Sequence, residues 1–160
     1  MIPTAELRRV FGHFATGVTI VTTVHEGVPH GLTVNAYSSV SLEPPLVLVC
    51  LRRENRSYVG FDRAAAFAVN VLAREQEPLA RLFASQEDRK FGSVAYRIGD
   101  ASGAPLLDGA HAWLECSVVE RFVPPGTHSV IIGEVLAYGT RDAEPLIYYR
   151  SAYRSLRAAP

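Results

Sequence analysis

Apolar and polar residues alternate along most of the chain, which predicts short β-strands. In residues 31–51, GLTVNAYSSVSLEPPLVLVCL, short polar side chains alternate with apolar or small ones before a continuous apolar run from Leu46 to Leu51. A period of two is typical of a strand with one polar face, and the apolar run is typical of a buried strand. The polar face suits a flat, polar ligand close to the main chain, but an ordinary half-exposed antiparallel strand would show the same pattern.

Similar patterns divide the rest of the chain into strands. Strands are predicted at residues 18–24, 31–37, 46–51, 66–72, 111–123, 128–138 and 146–149. The first two flank the turn signal Glu26-Gly27 and predict a β-hairpin. Six or so antiparallel strands with few helices favour a closed or nearly closed barrel, because a parallel sheet would need more crossover helices.

Apolar residues at helical spacing predict a small number of helices. They are expected at residues 4–17 and 75–85, with a short third helix capped by Asn55 at residues 56–61. The first should pack on the core through an apolar stripe formed by Leu7, Val10, Phe11 and Phe14. Residues 86–107 have no regular pattern and predict a long loop of the kind that often carries function.

Length and charge limit the classes of function. The 160 residues predict one domain, residues 1–160, with a basic tail after Tyr153. Sixteen basic and sixteen acidic residues balance, without a block of like charge, so we expect no nucleic-acid partner and no membrane-surface partner. The chain has no apolar run long enough to span a membrane, and charges interrupt residues 1–16, so a cytoplasmic location is expected.

Searches for reactive motifs are mostly negative. The chain has no GxSxG, GxxxxGK[ST], GxGxxG or HExxH motif, and its histidines are scattered, so no metal site is predicted. Cys50 and Cys116 lie in apolar sequence and are expected to be buried free thiols. His25 and His30 flank a turn and are expected on the solvated surface. His128 follows Pro-Pro-Gly-Thr, so we expect it at a strand end, either beside a ligand or simply exposed.

Eight segments occur in the order typical of one enzyme family. They are HFATGVTIVTT, GLTVNAYSSVSLEPPLVLVCL, FAVNVL, LARLFA, RKFG, WLECSV, GTHSVIIGEV and PLIYYRSAY. The chain therefore resembles the short flavin reductases, the reductase components of two-component flavin monooxygenases, over roughly residues 7–156. The resemblance implies a mainly β, antiparallel split barrel of Greek-key type, with about six core strands and two to four peripheral α-helices. It also implies a homodimer that uses NADH, or NADPH, to reduce FMN or FAD for a separate monooxygenase.

The resemblance also implies which residues contact the ligands. The family's flavin contacts fall on Thr33, Val34, Asn35, Ala36, Ser39, Ser41, Cys50, Leu51, Arg52, Ser57, Arg89, Lys90 and Phe91, and its nicotinamide contacts on His128, Thr16, Gly17 and Tyr153. Ser57, at a helix start, would offer free amides to a phosphate, and Arg89 and Lys90 would add positive charge. Many relatives carry serine where this chain has Ala36, so one hydroxyl contact is expected to be absent.

The absence of acid, base and nucleophile motifs agrees with this resemblance. Hydride transfer between a nicotinamide and a flavin needs stacking and orientation rather than a protein nucleophile. Two other interpretations remain open: a flavin-binding protein that stores or senses flavin without turnover, and an enzyme similar to pyridoxamine-phosphate oxidase on the same type of barrel. A plain oligomeric interaction module is a third.

Overall fold

The protein consists of twelve strands and two α-helices within residues 2–156, the part that the computed structural model describes. In chain order these are α1 (Thr4–Phe11), β1 (Thr16–Gly17), β2 (Thr19–His25), β3 (Val28–Val34), β4 (Tyr37–Leu42), β5 (Pro45–Arg52), β6 (Ala66–Val71), α2 (Glu77–Ala84), β7 (Tyr96–Ile98), β8 (Pro105–Leu107), β9 (Ala112–Phe122), β10 (His128–Thr140), β11 (Ile147–Tyr149) and β12 (Ala152–Arg154). Residues 157–160 of the expected basic tail lie outside the described residues.

Seven antiparallel strands form one strongly curved sheet. Their order is β3-β2-β6-β9-β10-β5-β4, so the two edge strands, β3 and β4, are consecutive in the chain. At this seam the carbonyl of Ala36 accepts a hydrogen bond from the Cys50 amide at 3.0 Å, which brings the β3–β4 connection onto β5. The sheet therefore nearly closes on itself, as the strand count predicted, and the predicted β2–β3 hairpin is confirmed.

Apolar residues fill the inside of the sheet and the space beneath α2. Within the barrel, Phe67, Leu51 and Ile131 belong to a cluster that is almost fully excluded from solvent. A second cluster packs Phe83 of α2 against Ile20 and other residues outside the barrel. Burial of this kind stabilises a fold by about 25 cal/mol for each Å² of apolar surface removed from water. The second cluster thereby fixes α2 beside β3.

The first helix differs from its prediction. It ends at Phe11 rather than near Gly17, and none of its residues is buried. Phe11 is 67% exposed and Phe14, beyond the helix, is 79% exposed, so the apolar stripe does not pack on the core of this chain. The physical reason is that the chain turns away at Gly12, whose carbonyl accepts the Arg150 amide, before the stripe can reach the sheet.

The predicted long loop also differs, because part of it is a hairpin. Strands β7 and β8 pair between residues 96 and 107, and a short 3-10 turn precedes them. The carboxylate of Glu115, which is 2% exposed, accepts hydrogen bonds from the amides of Ala101 and Ser102 and from the Ser102 hydroxyl. Asn70 accepts the Leu107 amide at 2.8 Å. These partners are distant in sequence, so local pattern does not show the hairpin.

Two smaller differences concern the termini and the thiols. Strand β12, which pairs with β11 in a small sheet with β1, was not predicted. Cys116 is fully buried as expected, but Cys50 is only partly buried, because its side chain lies on the outer surface of β5. Within residues 2–156 no helix is long and apolar enough to cross a membrane.

Candidate functional site

A groove of about 240 Å³ opens where the chain passes from β3 to β4. It is lined by Leu32, Thr33, Val34, Asn35, Ala36, Cys50, Arg52, Asn55, Ala84, Gln86 and His128. Seven of these residues were predicted to bind flavin or nicotinamide. These seven come from three separate parts of the chain, and the near closure of the sheet at the β3–β4 seam brings them together.

The main chain at Asn35 and Ala36 forms the wall at the centre of the groove. Both residues lie outside the strands and are exposed, and within residues 2–156 neither amide N–H has a hydrogen-bond acceptor. Free backbone donors that are not buried are available to a ligand, and the small Ala36 side chain allows close approach. Two successive amides of this kind fit the nitrogen and carbonyl acceptors along the edge of a flat ring.

The strand before this wall is held by the hydroxyl groups of two threonines. The Thr33 hydroxyl donates to the carbonyl of Ala80 in the middle of α2 at 2.7 Å, which holds the helix that carries Ala84 beside β3. The Thr19 hydroxyl donates to the Val34 carbonyl at 2.7 Å. Val34 is only 6% exposed and belongs to the barrel core, so its side chain is not available in the groove.

His128 and Arg52 form the rim at the other side of the groove. They are directly paired residues at the ends of β10 and β5. The His128 Nδ1 lies 2.8 Å from the Thr127 hydroxyl, and the Arg52 Nε donates to the Glu54 carboxylate at 3.0 Å. Both rim side chains are exposed to solvent. Gly126, with φ of +126°, provides the turn that starts β10 at this point.

The residues expected to bind phosphate, Ser57, Arg89 and Lys90, are arranged differently from the prediction. The Ser57 amide donates to the Asn55 side chain at 3.0 Å, so the expectation of a free amide at Ser57 is wrong. The Lys90 ammonium group is buried and donates to the Phe83 carbonyl at 3.1 Å, with a longer contact of 3.4 Å to the Ser57 hydroxyl. Burial lowers the pKa of Lys90. Arg89, which is exposed, is the more accessible cation of this pair.

Other predicted residues lie outside the groove. The ring of Phe91 packs edge-on against Phe83 and Tyr96, with centroid distances of 5.0 and 5.2 Å. Leu51 is 0% exposed in the barrel core, so its side chain does not reach a ligand. Ser39 and Ser41 lie further along the exposed edge strand β4. Neither serine lines the groove of a single chain, so their contacts with a ligand remain predictions.

The predicted nicotinamide residues Thr16 and Tyr153 lie in one row of the small sheet. Tyr148 is the paired residue of both, and the rings of Tyr148 and Tyr153 are 5.4 Å apart. Gly17 occupies the next row. A pocket of about 180 Å³ that includes Thr33, Asn35, Tyr148 and Tyr153 joins this row to the groove. The Thr16 hydroxyl is buried and has no partner among the described residues, which leaves a polar atom for a ligand or water.

Several lining residues were not predicted. Asn55 was interpreted only as a helix cap, Tyr148 only as part of the last predicted strand, and Ala84 and Gln86 only as the end of a helix and its loop. A lone alanine or glutamine carries no chemical pattern in a sequence. Their role follows from the packing of α2 against β3, which local sequence does not encode.

Comparisons with known proteins agree with this groove and barrel. The flavin reductase like domain family matches residues 11–157, so the chain belongs to that family. It is 41% identical over 154 residues to a probable flavin reductase of Rhizobium meliloti, covering 96% of this chain and 49% of that protein. It is 40% identical to the reductase component of a 4-nitrophenol 4-monooxygenase/4-nitrocatechol 2-monooxygenase of Rhodococcus opacus, covering 93% and 79%.

A solved structure shows the same fold with ligands. The NADH:FAD oxidoreductase of Streptomyces globisporus in complex with NAD and FAD fragments superimposes with a TM-score of 0.89 at 39% identity, covering 98% of this chain and 93% of that one. The chain spans about half the length of the first curated relatives it matches, 49% of one and 47% of another.

Proposed function

We propose that this protein is an NAD(P)H:flavin oxidoreductase that reduces FMN or FAD and supplies the reduced flavin to a separate monooxygenase. The observation that carries the proposal is the pair of acceptor-free amides at Asn35 and Ala36, in a groove bounded by His128. The family supports it, as do relatives that are reductase components of monooxygenases. NADH is the favoured donor because the related Streptomyces globisporus protein is an NADH-dependent FAD reductase.

The residues of the groove would act by binding and orientation. When bound, a flavin supplies a ring nitrogen that accepts a hydride from C4 of a reduced nicotinamide. The amides of Asn35 and Ala36 would hold the ring edge, and Arg52 and Arg89 would meet negative charge at the other end. His128 would donate to the carboxamide of the nicotinamide and align it over the flavin. Alignment of two rings in this way contributes by proximity rather than by acid or base chemistry.

We also propose that the active form is a homodimer. Apolar side chains remain exposed along β4 and at the end of α1 and just beyond it, including Leu42 at 87%, Val40 at 48% and the aromatic rings of Phe11 and Phe14. Phe11 and Phe14 line a mostly apolar pocket of about 360 Å³ that shares Asn35, Ala36 and Cys50 with the groove. A second copy placed here would cover this apolar surface and enclose the ligand, because a contiguous apolar patch at a ligand site is typical of an interface.

Spectrophotometry with each flavin and each nicotinamide in turn tests the proposal. We expect rapid loss of the reduced-nicotinamide absorbance when NADH and FAD or FMN are both present, and very little with either alone. The variant Ala36→Trp should reduce this activity strongly because the ring would fill the groove, whereas Ala101→Trp, in the exposed β7–β8 turn, should not. Flavin binding without nicotinamide oxidation would contradict a reductase and favour a flavin-storage protein.

A further inference from the structure

A pocket of about 210 Å³ lies at the far end of β10 from the groove, and we call it the arginine pocket. Residues of β7 and β8 and the ends of β9 and β10 line it, among them Arg97, Trp113, Thr140 and Arg141. His128 is the first of the thirteen residues of β10, and Thr140 is the last. A strand of that length spans about 40 Å, so the arginine pocket is a separate site from the groove.

Arg97 is held on the wall of the arginine pocket by an indole ring. Its guanidinium carbon lies 4.9 Å from the centroid of the Trp113 ring. That ring is itself fixed, because it packs on Leu106 and lies across Gly139 of the paired strand, where a Cβ would collide with the indole. Among residues 2–156, the guanidinium group of Arg97 has no hydrogen-bond or ion-pair partner. Its donors are therefore positioned by stacking and remain available to a ligand.

Arg141 provides a second cation that is fixed by hydrogen bonds. Its Nη2 donates to the Glu75 carboxylate and to the Gly109 carbonyl, both at 2.6 Å, and its Nε donates to the same carbonyl at 3.0 Å. Within the described part of the chain, its Nη1 has no acceptor. The wall beside Gly109 is also held, since the Asp108 carbonyl accepts the Gln76 side-chain amide at 2.9 Å. The pocket thus presents two positioned guanidinium groups with free donors.

The donors and the size of the arginine pocket favour one class of ligand. Guanidinium groups bind carboxylates through parallel hydrogen bonds and also stack on flat rings. The indole of Trp113 and the aliphatic residues of the lining add apolar surface beside these donors. A volume of about 210 Å³ is smaller than the pockets that hold drug-sized molecules. A small, flat molecule with one carboxylate matches these properties.

We propose that the arginine pocket binds a small aromatic carboxylate, with Arg97 as the main hydrogen-bond donor and Arg141 as the second. The proposal does not depend on the function proposed above, because the two sites share no lining residue. Benzoate is the simplest probe of this class. Inorganic phosphate also carries negatively charged oxygens but lacks the flat apolar body, so a comparison of the two probes distinguishes an aromatic acid from a simple oxyanion.

Titration of the wild-type protein, observed through its only tryptophan, provides the test. Because the chain has one tryptophan, Trp113 gives a single indole N–H signal in a proton–nitrogen correlation spectrum. At constant ionic strength, benzoate should shift this signal saturably, and benzamide, which has a similar shape without the charge, should leave it in place. Phosphate should bind about tenfold more weakly than benzoate, because it buries no apolar ring. No shift with benzoate, an equal shift with benzamide, or equally tight phosphate binding would overturn the proposal.

Variants then assign the binding to this pocket. Arg97→Gln should weaken benzoate binding about tenfold, the effect of losing one charged hydrogen bond. Arg63→Gln is the matched control, because Arg63 is also exposed and without a partner among residues 2–156 but lies outside the pocket. Asp108→Asn removes the carboxylate of the lining, so it should strengthen benzoate binding. Equal affinities of Arg97→Gln and Arg63→Gln, or weaker binding by Asp108→Asn, would overturn the proposal.

Discussion

At the scale of single residues, the candidate site depends more on main chain and position than on reactive side chains. Asn35 and Ala36 offer free amides, Thr33 uses its hydroxyl to fix α2, and Lys90 is buried against a helix end. His128 is an exposed ring at the rim, held by the Thr127 hydroxyl. Substitutions in the groove should therefore alter binding and geometry rather than remove a chemical step.

Replacement of His128 tests this view directly. His128→Ala should lower kcat/KM for NADH by about 10- to 100-fold, or ~1.4 to 2.8 kcal/mol, mainly through KM, because one contact to the nicotinamide is lost. Flavin affinity should change much less. His111→Ala, a histidine outside the groove, serves as the control. Unchanged NADH kinetics in His128→Ala would show that this ring lies only on the surface.

His30 gives a prediction for the pH dependence of stability. It is half-buried rather than on the solvated surface as expected, and its ring packs against Gly60. Burial, followed by the nearby charge of His25, lowers the pKa of His30 below its ordinary value of 6.5. The folded state therefore binds this proton less readily than the unfolded state. The contribution of the neutral His30 ring to the free energy of unfolding is complete above about pH 6.5. It decreases as the pH falls through the lowered pKa of His30 in the folded state.

Urea denaturation at about pH 8 and about pH 5 measures this contribution. On going from the higher to the lower pH, the free energy of unfolding should fall by more in the wild-type protein than in His30→Gln, which cannot titrate at this position. The same loss in both proteins would assign the pH dependence to other groups.

At the scale of elements, individual side chains hold peripheral pieces onto the barrel. The β7–β8 hairpin is tied to β9 by the Glu115 carboxylate, with distances of 2.9, 2.7 and 2.8 Å to its three donors. Gly99 faces the same carboxylate so closely that a Cβ there would collide with its oxygen. The hairpin is therefore fitted around this one side chain.

Glu115→Gln should destabilise the protein by about 1.5 to 3 kcal/mol, because charge-assisted hydrogen bonds are lost in a buried site. Urea denaturation gives the free energy of unfolding, and hydrogen exchange should show faster opening across residues 96–107. The control is Glu120→Gln on the same strand, where the side chain is exposed. Equal stability of the two variants would mean that the hairpin does not depend on Glu115.

At the scale of the whole molecule, the exposed apolar surface around α1 and β4 predicts assembly. Sedimentation or light scattering at micromolar concentration should give about twice 17.5 kDa. Leu42→Asp should shift the protein toward monomer and lower its activity, because a carboxylate would be desolvated in the interface. Val28→Asp, which is also exposed but lies at the β2–β3 turn, should not. A monomer with full flavin reductase activity would contradict a shared site.

The sequence by itself determined the β-rich class, most strand positions and the polar segment that becomes the groove wall. Alternation in residues 18–37 and the cap at Asn55 are local properties, and local sequence encodes them directly. The resemblance to the flavin reductases could also be identified from the sequence, because it rests on segments that occur in the same order along the chain and not on contacts.

Only the tertiary structure decided which of these residues share a site and which are occupied elsewhere. The near closure of the sheet brings His128 and Arg52 to Asn35, while burial draws Lys90 to the end of α2 and Leu51 into the core. The first helix was placed wrongly because an amphipathic stripe predicts a helix but does not show where the chain turns after it, and the turn at Gly12 keeps the stripe off the core. Burial and long-range hydrogen bonds depend on residues far apart in sequence, so no local pattern could reveal them.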